Sequence, residues 1–457
     1  MTPSPPPGPQ PLGPLLARLR LALGWSQQRL AARLCAVSGV PTLTRHEVSR
    51  WERQLRVPGD FWLGWLAVVL DVPVGLLSGA AARSRPEPPP VVRPGSRSRS
   101  ALLALARRWL ADPRGSLLIV PPRVGPSPTG PAGAAWSEAA ADATRTGPTG
   151  AVPTLTELRR LDDLAGGADL VGYGAYRLGR AVRELSGAGP AARRRLLPVL
   201  AESAQLAGWL AADAGHPAGG LDAYRLGLRA AAAAGDPAFG AHVLGAASHL
   251  LAGAGDPYGA LALARTGYAG ARRSASPGLR ALLLHRVALA AALGGRPEAA
   301  RRALAAADRG ADAVEPAREP PWLYWLDGPE LAAMTGRTLV ALGRPRAAEP
   351  LLAAARRPGR PRGAALYGAW LARAHLQLGD VEQACAVAEA ALLDAVRAGS
   401  PRAAGQLAEV RRRLARHAGE PAVRRHTAVA AAAARYLPSN GPAAHQGPLV
   451  PLSRGIR

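Results

Sequence analysis

SQQRLAARLCAVSGVPTLTRHEVSRWERQLRV, residues 26–57, reads as two short helices joined by a turn, the second bearing Arg45, His46, Ser49 and Arg50 on one exposed face. Val48, Trp51 and Leu55 fall at i, i+3 and i+7, which predicts one buried side and leaves the positions between them outward. Thr44 and Glu47 have the T-x-x-E spacing of a capping box, so the second helix is expected to begin at Arg45. A helix starting there presents two base-reading donors in its first turn, a chemistry suited to a groove of double-stranded DNA.

Outward from this stretch, a compact helical unit is expected over residues 12–80. Pro58 opens a further helix through Phe61, Trp62, Trp65, Leu66 and Val69, whose apolar face closes the core behind the helix pair. That gives a five-helix domain behind a Pro-rich tail, 1–11, expected to be disordered. Residues 81–153 are rich in Pro, Gly and Arg and read as a linker with a short helix at 101–111. The SRSRS run at 96–100 is read as a solvated spacer, with added phosphate contacts as the alternative.

The chain of 457 residues carries a formal charge of +25. All of its positive side chains other than histidine are arginine, Ala and Leu dominate the apolar set, and Ile and Phe are nearly absent. Strong helix formers and a thin β vocabulary predict an all-α protein. The composition points to a GC-rich coding genome, and the arginine excess makes a field that attracts polyanions, nucleic acid first. Cys35 and Cys385 sit in helical patterns and are expected to be buried thiols. No signal peptide and no membrane span is read, so the expected compartment is the cytoplasm, at the nucleoid, with no membrane partner.

From Thr154 to about Leu437 amphipathic helices alternate with short turns: Gly215-His216-Pro217, Gly255-Asp256-Pro257, Gly295-Arg296-Pro297, Gly343-Arg344-Pro345 and Gly379-Asp380-Val381. Spacings of 40, 40, 48 and 36 residues predict repeated helical hairpins in an α-solenoid over 154–437, followed by a disordered tail at 438–457. Gly ends one helix, Pro pre-sets the next, and Ala runs let helices approach closely.

The N-terminal residues resemble the Cro/C1-type (XRE) helix-turn-helix family over about 12–78. The resemblance rests on Arg20, Gly24, Ser26-Gln27-Gln28, Leu30-Ala31, Val48-Ser49-Arg50-Trp51-Glu52, Pro58 and the run from Leu66 to Pro73. It implies that Gln27 holds a phosphate beside Ser26 and Gln28 at the start of helix two, and that Thr44 opens the recognition helix. It also implies that Arg45, His46 and Arg50 face base edges, that Ser49, Arg53 and Arg56 grip the backbone, and that Arg20 and Glu52 form a structural ion pair. The AVSGVPT insertion makes this chain about seven residues longer than the family pattern between helices two and three, which leaves the docking angle open. The second part resembles tetratricopeptide-type repeats, though with a longer period, and the whole chain is similar in layout to a group of actinobacterial regulators.

Catalytic text is missing: there is no G-x-x-x-x-G-K-[ST], H-E-x-x-H or C-x-x-C, and the glycines of 171–179 follow no strand. The histidines are scattered over different hairpins. No enzyme activity, cofactor or metal is therefore expected. Within the repeats, Trp322, Tyr324 and Trp325 form the candidate ligand-binding cluster, with interhelical packing as the alternative. The layout is similar to that of peptide-sensing regulators, but the repeats carry no Asn to hold a peptide backbone. The sequence thus predicts a DNA-binding transcriptional regulator whose repeats dimerise or receive a peptide, small-molecule or protein effector; the alternative is a repeat scaffold with a weakly specific helix-turn-helix.

Overall fold

The computed structural model describes residues 12–84, 96–113, 153–311, 315, 318–356 and 359–437. These residues hold twenty α-helices and no β-strand. The chain divides into two compact units, 1–93 and 94–457. The expected tails at 1–11 and 438–457 lie outside the described residues.

In the first unit, helices α1 (Leu12–Ala22), α2 (Gln27–Ser38), α3 (Arg45–Glu52), α4 (Asp60–Leu70) and α5 (Val74–Ser84) surround one core. Leu16, Leu30, Leu34, Val48, Leu66 and Leu77 are fully buried there. Ser26 caps α2 by accepting the Arg29 N–H at 3.1 Å, and Gly39, at φ 72°, ends it in the left-handed region where only glycine is unstrained. Part of the inserted AVSGVPT stretch therefore lengthens α2, and the rest forms the loop to Thr44. α1 crosses the end of α3 so closely that a methyl group on Gly13 would stand 2.4 Å from the Glu52 carbonyl oxygen.

Three expectations for this unit are corrected. Thr44 precedes α3 but its hydroxyl makes no capping bond: the Glu47 N–H donates to the Thr44 carbonyl at 3.1 Å, and the Glu47 side chain is drawn to Arg50 and Arg56. Leu55 is 68% exposed: α3 stops at Glu52, and Gln54, at φ 58°, turns the chain before the third apolar position reaches the core. On α4 the buried stripe is Leu63, Leu66, Ala67 and Leu70, while Phe61 faces solvent.

The second unit starts with α6, which runs Ser96–Ala111 and not 101–111. It is no isolated element of a linker: Leu102, Leu105, Ala106 and Trp109 belong to the main core of this unit, Ser98 is buried and Arg99 pairs with Asp256. The 96–100 run is thus part of a packed helix, contrary to the reading as a solvated spacer. The helices that follow are α7 (Leu155–Leu164), α8 (Gly167–Ser186), α9 (Pro190–Asp213), α10 (Pro217–Ala233), α11 (Pro237–Gly253), α12 (Pro257–Ala271) and α13 (Pro277–Leu293). Beyond them come α14 (Pro297–Ala311), α15 (Gly328–Ala341), α16 (Pro345–Ala354), α17 (Pro361–Leu378), α18 (Val381–Ala398), α19 (Pro401–Leu414) and α20 (Pro421–Ala433).

The turn chemistry is denser than the sequence reading took it to be. Gly235-Asp236-Pro237, Gly359-Arg360-Pro361 and Gly399-Ser400-Pro401 repeat the Gly-x-Pro text, and each of these glycines also has positive φ. With Gly215, Gly255, Gly295 and Gly343 the motif stands at seven helix junctions, within hairpins and between them. At Gly235 the Asp236 N–H reaches the Ala231 carbonyl at 3.0 Å and the Gly235 N–H reaches Ala232 at 3.0 Å, which closes the helix as a Schellman motif. Asp236 then caps the next helix by accepting the Phe239 N–H at 2.9 Å, and Pro237 occupies its first turn. Three residues thus stop one helix and start another.

Consecutive helices pair as α9/α10, α11/α12, α13/α14, α15/α16 and α17/α18. The first members also pack on one another, α9 to α11, α11 to α13, and so on to α19, so they form an inner layer around which the second members lie. α6 seats between α10 and α12 in the outer layer, its Trp109 ring so near that a methyl group on Gly270 would stand 2.4 Å from it. The curvature brings the beginning of the unit against its end. The Asp213 carboxylate, fully buried, accepts the Gly167 N–H at 2.8 Å and the Ser400 hydroxyl at 3.0 Å, and lies 3.1 Å from Arg402 Nε. Asp162 pairs with Arg362 and accepts the Trp209 indole N–H at 2.9 Å. The inner helices are therefore joined end to end.

This closure gives a test. Burial works against ionisation of Asp213, yet Arg402, Arg362 and the two hydrogen bonds together hold its carboxyl below the usual range. Asp213→Ala strands the Arg402 guanidinium in the interior and is expected to cost about 3–5 kcal/mol in urea-induced unfolding. Ser400→Ala, which removes the hydrogen bond to Asp213 and the cap on the Ala403 N–H at 3.2 Å but strands no charge, is expected to cost only about 1–2 kcal/mol. Equal losses from the two would contradict the charge-centred account.

Candidate functional site

Two places concentrate chemistry, one in each unit. In the first, the Arg20 guanidinium grips Glu52 with both prongs, Nε to Oε1 at 2.6 Å and Nη2 to Oε2 at 3.0 Å, while Nη1 donates to the Trp25 carbonyl at 2.6 Å. The Glu52 hydrogen bond raises the Arg20 pKa against the opposing effect of burial. Gln27 Nε2 donates to Glu52 Oε2 at 2.7 Å, so this amide completes the ion pair. One carboxylate at the end of α3 thereby fixes α1 and the first turn of α2 together.

With its rear held, α3 buries Val48 and Trp51 and turns Arg45, His46 and Arg50 outward, with Ser49 half-buried between them. Arg50 is 56% exposed and bonds Glu47 at 2.9 Å; Arg56 reaches the same carboxylate at 3.4 Å. Arg53 Nε donates to the Ser49 carbonyl at 3.4 Å. Thr44, Ser26 and Gln28 are exposed at the starts of α3 and α2. Sequence reading missed Arg29 and Arg33, which lie 5.9 and 5.7 Å from the centroid of the Trp25 ring and extend the cationic surface along α2. Their spacing after Trp25 was the available signal.

The second place is an interior cavity of about 160 Å³ bounded by the inner helices of the repeat unit. Six arginines line it, Arg159, Arg286, Arg337, Arg360, Arg362 and Arg402, against the carboxylates of Asp162 and Glu330. Trp322, Tyr324 and Trp325 reach it from the segment after α14; the Tyr324 hydroxyl donates to the Arg159 carbonyl at 2.9 Å, and Trp322 packs on Phe239 and His242. Trp209 is enclosed, with His249 stacked at 5.8 Å and Arg402 at 4.5 Å. Asp327, adjacent in sequence to this cluster, caps α15 by accepting the Glu330 N–H at 2.9 Å. Glu330 accepts the Tyr367 hydroxyl, and the Arg337 guanidinium sits 5.4 Å from the Tyr367 ring. The sequence pointed to the three aromatics but not to the arginines facing them.

The histidines of this interior are held neutral. Burial, reinforced by nearby arginines, brings His242 and His285 down to about 3. Among the described residues no group of His, Cys, Asp and Glu is arranged to hold a metal ion. Since the unfolded chain titrates near the ordinary value of about 6.5, unfolding takes up protons between about pH 3 and 6.5. The stability these groups contribute is complete above that range and falls as pH falls through it, by about 1.4 kcal/mol per pH unit per histidine. Urea midpoints are expected to drop between pH 7 and pH 5, and His285→Leu is expected to flatten the slope by one proton; an unchanged slope would place His285 in water.

Compared with protein-family models, curated proteins and solved structures, the chain finds no match in any of the three.

Proposed function

We propose that the first unit reads double-stranded DNA through α3 and that the chain is a sequence-specific transcriptional regulator of the helix-turn-helix kind. The observation that carries this reading is the two-sidedness of α3: Val48 and Trp51 are anchored in the core, the Arg20–Glu52–Gln27 cluster locks its end, and Arg45, His46 and Arg50 are left outside. Arginine forks match the O6 and N7 acceptors of guanine in the major groove, so a G-containing site is favoured. Glu47 must then release Arg50 as DNA arrives, and this competing carboxylate disfavours binding where no base replaces it.

A single short helix selects poorly against a genome of competing sites, so two copies on half-sites about one helical turn apart are part of this reading. The repeat unit then serves to pair copies or to receive a signal, and the cytoplasm, at the nucleoid, is the corresponding compartment. Among the described residues no helix is long and apolar enough to cross a membrane. The likeness of the hairpin array to tetratricopeptide-type repeats rests on paired helices of similar length and on the turn motif.

Genome-wide occupancy mapping of the tagged chain supplies the site for the test. Titrated on that site, Arg45→Ala and Arg50→Ala are each expected to weaken binding by about 1–3 kcal/mol and to relax preference at one base position. Gln27→Ala is expected to lower the stability of the first unit while leaving sequence preference intact. Equal losses on the selected site and on random duplex for Arg45→Ala and Arg50→Ala would overturn the groove assignment. A complex with one chain per site, by light scattering, would overturn the pairing.

A further inference from the structure

We propose that the interior cavity of the repeat unit binds a small organic dianion, a phosphate monoester or a dicarboxylate, whose oxygens meet the guanidinium groups of Arg286 and Arg337 while its body lies against Trp325. This shares with the proposed function only the idea that the repeats receive a ligand, and it adds the chemistry of that ligand.

Arg159 is answered by Glu202 at 2.8 Å, Arg362 by Asp162, and Arg402 by Asp213 at 3.1 Å. Among the described residues no carboxylate lies within ion-pair reach of Arg286, Arg337 or Arg360. Arg286 and Arg337 are each only 6% exposed, and the Nε atom of each is buried with no hydrogen-bond partner among the described residues. Arg286 Nη1 is 3.0 Å from His249 Nδ1, and burial keeps that histidine neutral, so the contact supplies a hydrogen bond but no negative charge.

Placing two like charges side by side in an interior, with no carboxylate in ion-pair contact and only Glu330 acting at longer range, is expensive, and replacing such buried charges by apolar groups is often neutral or stabilising. Burial first, and the Arg337 charge second, bring even the Arg286 guanidinium down to about 9. A bound oxyanion removes this cost. Guanidinium forks donate to phosphate and carboxylate oxygens in bidentate fashion, and two neighbouring forks with no carboxylate in contact suit a doubly charged anion. Arg360, half-buried at the start of α17, extends the same field to the cavity wall.

Size and apolar surface narrow the ligand further. The cavity, about 160 Å³ and partly open to solvent, has room for a small organic molecule. The faces of Trp209 are taken by His249 and Arg402, and Trp322 is packed on Phe239 and His242, whereas Trp325 has no ring partner among the described residues. Trp325 is thus the surface left for a short carbon skeleton or ring.

The test uses the full chain without DNA, so its failure is distinct from failure of the DNA reading. Phenyl phosphate and phthalate are titrated at constant ionic strength by calorimetry and tryptophan fluorescence, with phenol as the uncharged ring. At least one dianion is expected to bind at millimolar concentration or below and phenol not at all; the arm that binds more tightly distinguishes phosphate from carboxylate. Arg286→Met and Arg337→Met are each expected to weaken binding about tenfold or more. The same two variants, unliganded, are expected to melt at or above the temperature of the parent, which a purely structural arginine would not allow. Arg360→Met, outside the buried pair, is expected to weaken binding less and to leave the melt unchanged. Absence of binding by both dianions, equal binding by phenol, unchanged affinity in the Met variants, or a sharply lowered melt of Arg286→Met and Arg337→Met would each overturn the proposal.

Discussion

The contact on which the second unit depends is the buried meeting of Asp162 and Asp213 with Arg362 and Arg402 around Trp209. A stack of helical hairpins has no intrinsic reason to stop curving at a given radius, because each pair contacts mainly its neighbours. Here residues about 200 positions apart are bonded, and the inner helices must follow the one curvature that lets both carboxylates find their arginines. Burying four charges yields little net stability, since desolvation offsets most of the Coulomb attraction. Its consequence is registry: an end-to-end arrangement shifted by one turn leaves a carboxylate or guanidinium stranded. The interior cavity is the space that this closure encloses.

Small residues make such a tight ring possible. Ala and Gly dominate the contact faces of α9 to α13, and where a larger side chain enters, a glycine opposite makes room, as Gly208 does for the Tyr224 ring. The same economy explains why α6 can be recruited into the outer layer: Trp109 fits because Gly240 and Gly270 leave a slot between two helices. In this composition the few large aromatics act as keys in glycine-lined locks, and their positions decide which helices meet.

Much of this was legible in the chain itself. The all-helical class followed from Ala, Leu and the near absence of Ile and Phe, and the hairpin rhythm followed from Gly-x-Pro turns whose left-handed glycines and N-terminal prolines have a fixed geometric meaning. What escaped has physical reasons. Leu55 was misplaced because helix periodicity says nothing about a helix that ends early, and the bond from Gln27 to Glu52 was hidden because spacing says nothing about which way an amide turns. Glu47 sat at the spacing of a cap but had two arginines within reach, and ion pairing won over the backbone N–H. Arg286 and Arg337 were invisible because arginine is everywhere in this sequence, on exposed faces and buried ones alike, so its occurrence on an Ala-rich helix carries no sign of burial.

The two units therefore use one residue type in opposite states. On α3 the arginines are exposed and partly answered by Glu47, so a polyanion must compete with an acid already in place, which favours discrimination over raw attraction. In the repeat cavity Arg286 and Arg337 are desolvated and outside ion-pair contact with any described carboxylate, so a positive potential stands in the interior at a cost to the fold. Groups arranged this way are preorganised: their solvent has been removed before any ligand arrives, and an entering anion meets them without the reorganisation that water would require. A folded chain keeps such an arrangement only if something outside the local energetics favours it, because Met or Leu at positions 286 and 337 would pack as well and cost less.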